Sequence, residues 1–224
     1  MAPGEEHRHP TNSLLNYSTD HNDAILTYPV LAQLHTFFPQ RSEDINWKTL
    51  RLLQFHSKSN PLGFSTLQSA MQNYHEPTLL LISGYQTNGH DTSAKTYVVV
   101  GALINCPWTK KEMDDTSEST RHWKTILFQL APVQQVYATR EGNHSYMPVL
   151  QSNGIGIGRE VKDLSLETET GTTGLVVDSR LEKAAFEHGK PNSRRAQFEG
   201  VCPFGTAKAE VMKMEISALE VWGC

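Results

Sequence analysis

The C-terminal segment 212–224 constrains the fold of this chain more than any other stretch. Apolar and polar residues alternate from Met212 to Ser217, and the alternation resumes at Leu219 until Trp222 interrupts it. A period of two is that of a β-strand with one buried and one exposed face. The simplest interpretation is an edge strand. Because chain termini fray unless they are tied down, an apolar end that carries a tryptophan favours a strand that closes the fold.

Upstream of this segment, the sequence predicts helices first and then a series of strands. The first helix is predicted from the helical spacing of apolar residues over 25–38, with Asn22 or Asp23 as cap, and Pro29 makes it either begin at Tyr28 or kink there. The second helix is predicted at 64–74, with Ser65 as cap. The strands are predicted at 46–56, 78–83, 96–104, 123–130, 133–139, 146–150, 154–158, 173–178 and 181–186, and the apolar runs 78–83 and 96–104 are expected to pair. This order predicts an α+β fold, a two-sheet antiparallel β-sandwich with flanking helices that lie mainly near the N-terminus.

The composition argues against several classes of function. A net charge of −4 over 224 residues gives no electrostatic reason to expect a nucleic-acid partner. No apolar run approaches membrane-spanning length, so we expect no membrane insertion. Cys106, Cys202 and Cys224 form no C-x-x-C pair, so we expect no zinc or other metal site and no dithiol site. Free thiols suit the reducing cytoplasm.

Residues 1–23 differ from the remainder of the chain. They are polar and predict a flexible arm in which His7, His9 and His21 are solvated, whereas residues 24–224 predict a single domain.

The run from Gly154 through Gly156 to Gly158 invites comparison with a phosphate-binding loop. Neither the spacing of its glycines nor the residues after it match such a loop. Glycines that alternate with isoleucine predict a strand whose glycine face lies against another backbone or a large aromatic side chain. We expect Trp222 to be that aromatic.

Candidate catalytic groups occur only singly. His144 and His188 are predicted in loops, and the Asp114–Asp115 pair is most simply a solvated loop, so we predict no catalytic site. Arg194 and Arg195 are a candidate contact patch for a partner.

Several short motifs occur together in one order. They are a helix start at Gly63-Phe64-Ser65, a strand end that runs from Gly101 to Pro107-Trp108, the Gly154–Gly158 run, a strand that ends at Asp178, and the finish Glu220-Val-Trp222-Gly223. In this order they resemble the TLDc domain of the oxidation-resistance proteins over residues 46–224. The glycine run and the finish are most similar to the fungal branch that contains the restriction of telomere capping protein 5 group. The chain departs from the family pattern at residues 159–172, which intervene before the strand 174–178, and at 189–198.

The resemblance implies a β-sandwich without cofactor or catalytic site that binds other proteins. Members of the family bind the vacuolar-type proton-translocating ATPase, fungal members are linked to its disassembly, and the family is linked to resistance to oxidative stress. We therefore expect a non-enzymatic, monomeric module that engages the peripheral sector of that pump, in the cytoplasm with recruitment to the vacuole surface.

Two alternatives remain open at this stage. One is an enzyme of peroxide defence that uses Cys106, which would require an exposed thiol with a lowered pKa. The other is a scaffold that presents loops to a different protein, for which the candidates are 84–95, 109–121, 159–172 and 189–209.

Overall fold

The computed structural model describes residues 23–38, 49–87, 95–106, 108, 125–139, 148–158, 161, 173–188, 198–201 and 210–224. This part of the chain contains two helices, α1 (Tyr28–Phe37) and α2 (Phe64–Gln72), and eleven strands. The strands are β1 (Arg51–Ser57), β2 (Thr78–Gln86), β3 (Tyr97–Ile104), β4 (Thr125–Ala131), β5 (Gln135–Thr139), β6 (Val149–Gln151), β7 (Gly154–Ile157), β8 (Gly174–Asp178), β9 (Lys183–His188), β10 (Phe198–Val201) and β11 (Glu210–Gly223). Neither of the two helices has the length and apolar character needed to cross a membrane.

The eleven strands form one hydrogen-bonded antiparallel ladder. Its order is β10-β5-β4-β3-β2-β11-β9-β8-β7-β6, and β1 also pairs with β11. The predicted pairing of β2 with β3 is confirmed, with Thr78 opposite Ile104. The mainly antiparallel, strand-rich fold with short helices in the N-terminal part is as the sequence predicts.

The C-terminal strand β11 lies inside the sheet, so its interpretation as an edge strand is wrong. One edge of β11 pairs with β2 along Met214–Gly223, and the other pairs first with β9 and then with β1. The register shifts between Ile216 and Ala218. A bulge of this kind changes which face the following side chains point to. Met212, Met214 and Ile216 therefore share a core with Leu219 and Val221, although the period of two breaks between them.

The inner core lies between the two halves of this sheet. It joins apolar side chains of β2, β3, β4 and β5 to those of β6, β7, β8 and β9, with α2 at its border. The rings of Tyr137 on β5 and Phe186 on β9 lie 5.9 Å apart between centroids, although four strands separate β5 from β9 in the ladder. The sheet therefore folds over on itself. Two separate sheets are not confirmed, because the ladder continues unbroken through β11.

The outer core covers the opposite face of β2, β3, β4 and the C-terminal half of β11. The segment 25–38 supplies Ile25, Leu26, Leu34 and Phe38, which pack with Trp222 and its neighbours. Phe38 meets the ring of Phe128 edge-on at 5.7 Å. Trp222 thus belongs to this core, whereas Ile155 and Ile157 belong to the inner one.

The predicted contact of the Gly154–Gly158 run with Trp222 is not found at Gly154, whose nearest neighbours are backbone atoms of Val177 and Asp178. Added at Gly154, which has φ +143°, a Cβ would overlap the carbonyl oxygen of Val177 on β8. The close neighbour of this glycine is backbone, which was the other possibility that the pattern allowed.

Several predicted boundaries also move. Helix α1 begins at Tyr28, which is one of the two possibilities at Pro29, and its N-cap is Thr27 rather than Asn22 or Asp23. The N-cap of α2 is Gly63 rather than Ser65. Strand β10 lies within the predicted loop 189–209 and pairs with β5. His188 is the last residue of β9 rather than part of a loop. Residues 1–22, which make up nearly all of the predicted arm, lie outside the described part of the chain.

Candidate functional site

A pocket of about 500 Å³ opens at the middle of β11. The pocket lies between two partners of the same edge of β11. The pairing of β9 with β11 ends at Lys183 opposite Glu215, and the pairing of β1 with β11 begins at Ser57 opposite Ala218. The unpaired stretch between these two ladders is bridged by a hydrogen bond of 2.8 Å from the N–H of Ile216 to the carbonyl oxygen of Glu182. We call this cavity the β11 pocket. Its lining residues are His56, Ser57, Lys58, Pro61, Leu62, Arg180, Leu181, Glu182, Lys183, Glu215 and Ile216.

His56 forms the buried side of the pocket. Its Nδ1 accepts a hydrogen bond of 3.0 Å from the N–H of Leu62, and the ring also hydrogen-bonds the backbone of Leu181. Burial lowers the pKa of His56, although the Leu181 bond and the carboxylates of Asp178 and Glu182 act in the opposite direction. The neutral imidazole therefore holds the loop after β1 against the turn between β8 and β9.

The turn between β8 and β9 is fixed by Asp178. Its Oδ1 accepts hydrogen bonds from the N–H groups of Glu182 at 2.9 Å and Lys183 at 3.1 Å. Leu181 adopts φ +58° in this turn, and its side chain is fully buried. The family-motif residue Asp178 thus positions the pocket wall that carries Arg180.

The rim of the pocket is rich in exposed cations. Lys58, Arg180 and Lys183 line it, and Lys213 lies two residues from Glu215 on the same face of β11. Among the described residues, none of these four cations has an ion-pair partner within 4.0 Å. Among the lining residues, the three cations outnumber the two carboxylates, Glu182 and Glu215, so the rim carries an excess of positive charge in a chain whose net charge is −4.

A row of exposed side chains leads from this rim across the sheet. Tyr97, Tyr85, Glu215 and Lys183 are successive cross-strand partners on β3, β2, β11 and β9. Directly opposed residues point to the same face, so we call these four side chains the tyrosine row. The two tyrosine rings meet edge-on at 5.7 Å between centroids, and Tyr85 is 41% exposed and Tyr97 47% exposed.

A second polar site is fully buried. The carboxylate of Glu220 accepts hydrogen bonds from the N–H of Ile25 at 2.5 Å, the N–H of Leu26 at 3.0 Å and Nε1 of Trp222 at 2.8 Å. Glu220 has no exposed surface. It therefore binds the segment before α1 to the last strand, and this explains why a carboxylate and a tryptophan occur two residues apart in the C-terminal motif.

The remaining family-motif glycines mark close approaches rather than a site. Gly101 lies under the ring of Phe128, which a Cβ would approach to 2.6 Å, and the space beside Gly223 is taken by the ring of Tyr74. Gly154, Gly156 and Gly158 are all buried.

The motif residues around the two helices also have structural roles. The carbonyl oxygen of Gly63 accepts from the N–H groups of Thr66 and Leu67, and Phe64 packs on the inner core while Ser65 is exposed. Nε1 of the buried Trp108 donates to Oγ1 of Thr78 at 2.8 Å. The candidates Pro107, Arg194, Arg195 and His144 lie outside the described residues.

The thiol proposed for peroxide chemistry is buried. Burial raises the pKa of Cys106 to about 12, against a hydrogen bond with Thr125 that lowers it. Cys106 therefore stays protonated near neutral pH and lacks both properties that a reactive thiol needs. Within the described ranges, no cluster of three or more His, Cys, Asp and Glu side chains could hold a metal ion.

Little in the sequence pattern indicates the β11 pocket. Its walls come from residues 56–62, 180–183 and 215–216, which are brought together only by the pairing of β11. One available signal was His56, a titratable residue that directly follows Phe55 near the end of β1. Nothing in its spacing shows that it contacts Leu181.

Comparison with known proteins places these features in context. The family model described as TLDc domain matches residues 19–224. A relative in Lachancea thermotolerans, named restriction of telomere capping protein 5, is 26% identical over 89% of this chain and 39% of its own length. The relative of the same name in Schizosaccharomyces pombe is 25% identical over 79% of this chain and 41% of its own length. The relative in Pyricularia oryzae is 25% identical, over 90% of this chain and 37% of the relative. The chain thus spans about two fifths of the length of these relatives. No solved structure matches it significantly.

Proposed function

Since the chain belongs to the TLDc domain family, we propose that it is a non-enzymatic module that binds the peripheral sector of the vacuolar-type proton-translocating ATPase. The observation that carries the proposal is the match of the TLDc model to residues 19–224, which include every described element of the fold. The assignment of the pump as partner comes from the resemblance of the motifs to this family, and so does a link to resistance against oxidative stress.

The proposed mechanism is selective binding. A module that binds the free peripheral sector more tightly than the assembled pump shifts the equilibrium toward disassembly, without any covalent step. Each tenfold preference corresponds to about 1.4 kcal/mol of difference in binding free energy. The continuous antiparallel sheet supports this proposal, because it folds over on itself and can present such a surface. We propose that its two halves act as the two layers of a sandwich. We place the module in the cytoplasm as a monomer that is recruited to the vacuole surface through the pump.

Direct binding tests this proposal. The tagged chain is immobilised and incubated with purified peripheral sector, and the membrane sector of the same pump serves as the control. We expect the peripheral sector to be retained and the membrane sector to be washed away. Recovery of the peripheral sector at the background level of beads without the chain would refute the proposal.

A further inference from the structure

We infer that the β11 pocket and the tyrosine row form one docking surface for an acidic segment of a partner protein. The carboxylates of the segment lie against the cationic rim, and an apolar or aromatic side chain lies on Tyr85 and Tyr97. The inference rests on the proposed function and deepens it, because it names the surface and the chemistry of the segment that this surface recognises.

The charges of the rim favour a carboxylate ligand. Lys58, Arg180, Lys183 and Lys213 have no ion-pair partner among the described residues. The planar guanidinium of Arg180 is suited to hold a carboxylate through two parallel hydrogen bonds. Exposed ion pairs each contribute only about 0–1 kcal/mol, so the rim acts mainly on the rate and specificity of association.

The tyrosines supply the apolar contact that the charges lack. Tyr85 and Tyr97 present their rings to solvent next to Glu215, and tyrosine is enriched where proteins bind one another. Neighbouring strands are spaced about 4.8 Å apart, so the row from Tyr97 to Lys183 is about 14 Å long. An extended segment of about four residues covers that distance at about 3.3 Å per residue.

The pocket at the end of the row is preformed. His56 ties the loop after β1 to the turn after β8, and Asp178 holds that turn through two backbone N–H groups. Because all of these contacts are made within the chain itself, binding requires little further ordering of the site. The neutral imidazole also keeps the buried side of the pocket free of charge.

Two pairs of matched variants test the docking surface. Arg180→Glu reverses a charge at the rim, and Arg51→Glu makes the same change at an exposed site at the far end of β1. Tyr85→Ala removes one ring of the row, and Tyr28→Ala removes an exposed ring on α1 that is 54% accessible. The dissociation constant for purified peripheral sector is measured at low and at high salt, and urea unfolding confirms that each variant is folded.

We expect Arg180→Glu and Tyr85→Ala each to weaken binding about tenfold, while the two controls stay within about twofold of the wild type. The loss in Arg180→Glu should shrink as salt is raised, and the loss in Tyr85→Ala should not. If the wild type binds and all four variants bind equally well, the docking surface is refuted while the proposed function stands. If the wild type does not bind, both fall.

The same variants distinguish a membrane from a protein as the occupant of the surface. Vesicles of phosphatidylcholine with phosphatidylserine present the negative charge without a peptide. The inference would be overturned in favour of a lipid surface by two results together. The wild type would bind these vesicles and Arg180→Glu would not, while Arg180→Glu would keep the wild-type affinity for the peripheral sector.

Discussion

Replacement of Glu220 by glutamine should loosen the N-terminal segment from the sheet. The carboxylate accepts three hydrogen bonds, from the N–H groups of Ile25 and Leu26 and from Nε1 of Trp222. A glutamine side chain has the same shape but only one acceptor oxygen, and its amide group is a donor. In either orientation the amide faces at least one of the three N–H groups, which then stays buried without an acceptor.

The magnitude follows from these contacts. A hydrogen bond to a charged group contributes about 1.5–3 kcal/mol, and a buried donor without an acceptor costs about 1–3 kcal/mol. In the better orientation one bond is lost and two are weakened, so we expect a loss of about 2–4 kcal/mol. Folded domains typically have about 5–15 kcal/mol of stability, so Glu220→Gln should still fold.

Urea unfolding measures the global effect, and hydrogen exchange at the amides of Ile25 and Leu26 measures the local one. At about 1.36 kcal/mol per tenfold change, exchange at these amides should accelerate about 30-fold to 900-fold. The control is Glu215→Gln, the same chemical change at an exposed position of the same strand, which should stay within about 0.5 kcal/mol of the wild type. A Glu220→Gln variant as stable and as protected as this control would refute the anchoring role of the carboxylate.

Three further predictions concern other parts of the chain. Burial lowers the pKa of His56 in the folded state from 6.5, so the unfolded chain binds the proton more readily. The stability that neutral His56 contributes is therefore complete above about pH 6.5 and declines below it. Urea midpoints measured between about pH 7.5 and 5 should fall with pH in the wild type, and His56→Gln should remove the part of that fall that is due to His56. With its pKa raised to about 12, Cys106 should resist iodoacetamide at pH 7.5 in the folded chain but react in urea, and peptide mapping that finds it alkylated without urea would contradict its burial. Truncation before Leu219 removes Trp222 and the strand partner of β1, so circular dichroism should show no cooperative melting, in contrast to the full chain.

The parts of the fold that sequence could predict depend on local patterns. The apolar runs of β2 and β3 are continuous and bounded by polar loops, so both the strands and their pairing were predictable. Pro29 limited α1 either to a start at Tyr28 or to a kink there, and the start at Tyr28 is the one observed, since proline is accepted in the first turn of a helix.

The parts that sequence could not predict depend on contacts between distant residues. The alternation in β11 does not show how many strands pair with it. The bulge after Ile216 changes which residues of β11 point to the inner core, and no glycine marks its position in the sequence. Trp222 was correctly expected to be buried, but its neighbours Ile25 and Leu26 come from the other end of the chain. The short strand β10 carries no strong apolar pattern, so the sequence predicts a loop there.

The candidate site shows the same division. The motif residues that stand out in the sequence, such as Gly101, Asp178 and Glu220, have structural roles because close packing and buried hydrogen bonds restrict the choice of residue. The exposed side chains of the β11 pocket and the tyrosine row are ordinary residues in sequence. Only the register of four strands brings Tyr97 and Lys183 onto one face.

The assembled fraction of the vacuolar-type pump tests the central claim most directly. Isolated vacuolar membranes that carry the intact pump are titrated with the folded chain, and the peripheral sector released from the membranes is quantified. The account predicts that release rises with the concentration of the chain and saturates, and that Arg180→Glu requires about tenfold more protein for the same release than Arg51→Glu does. Release that stays at the level without added chain, at every concentration up to saturation of the membranes, would contradict it.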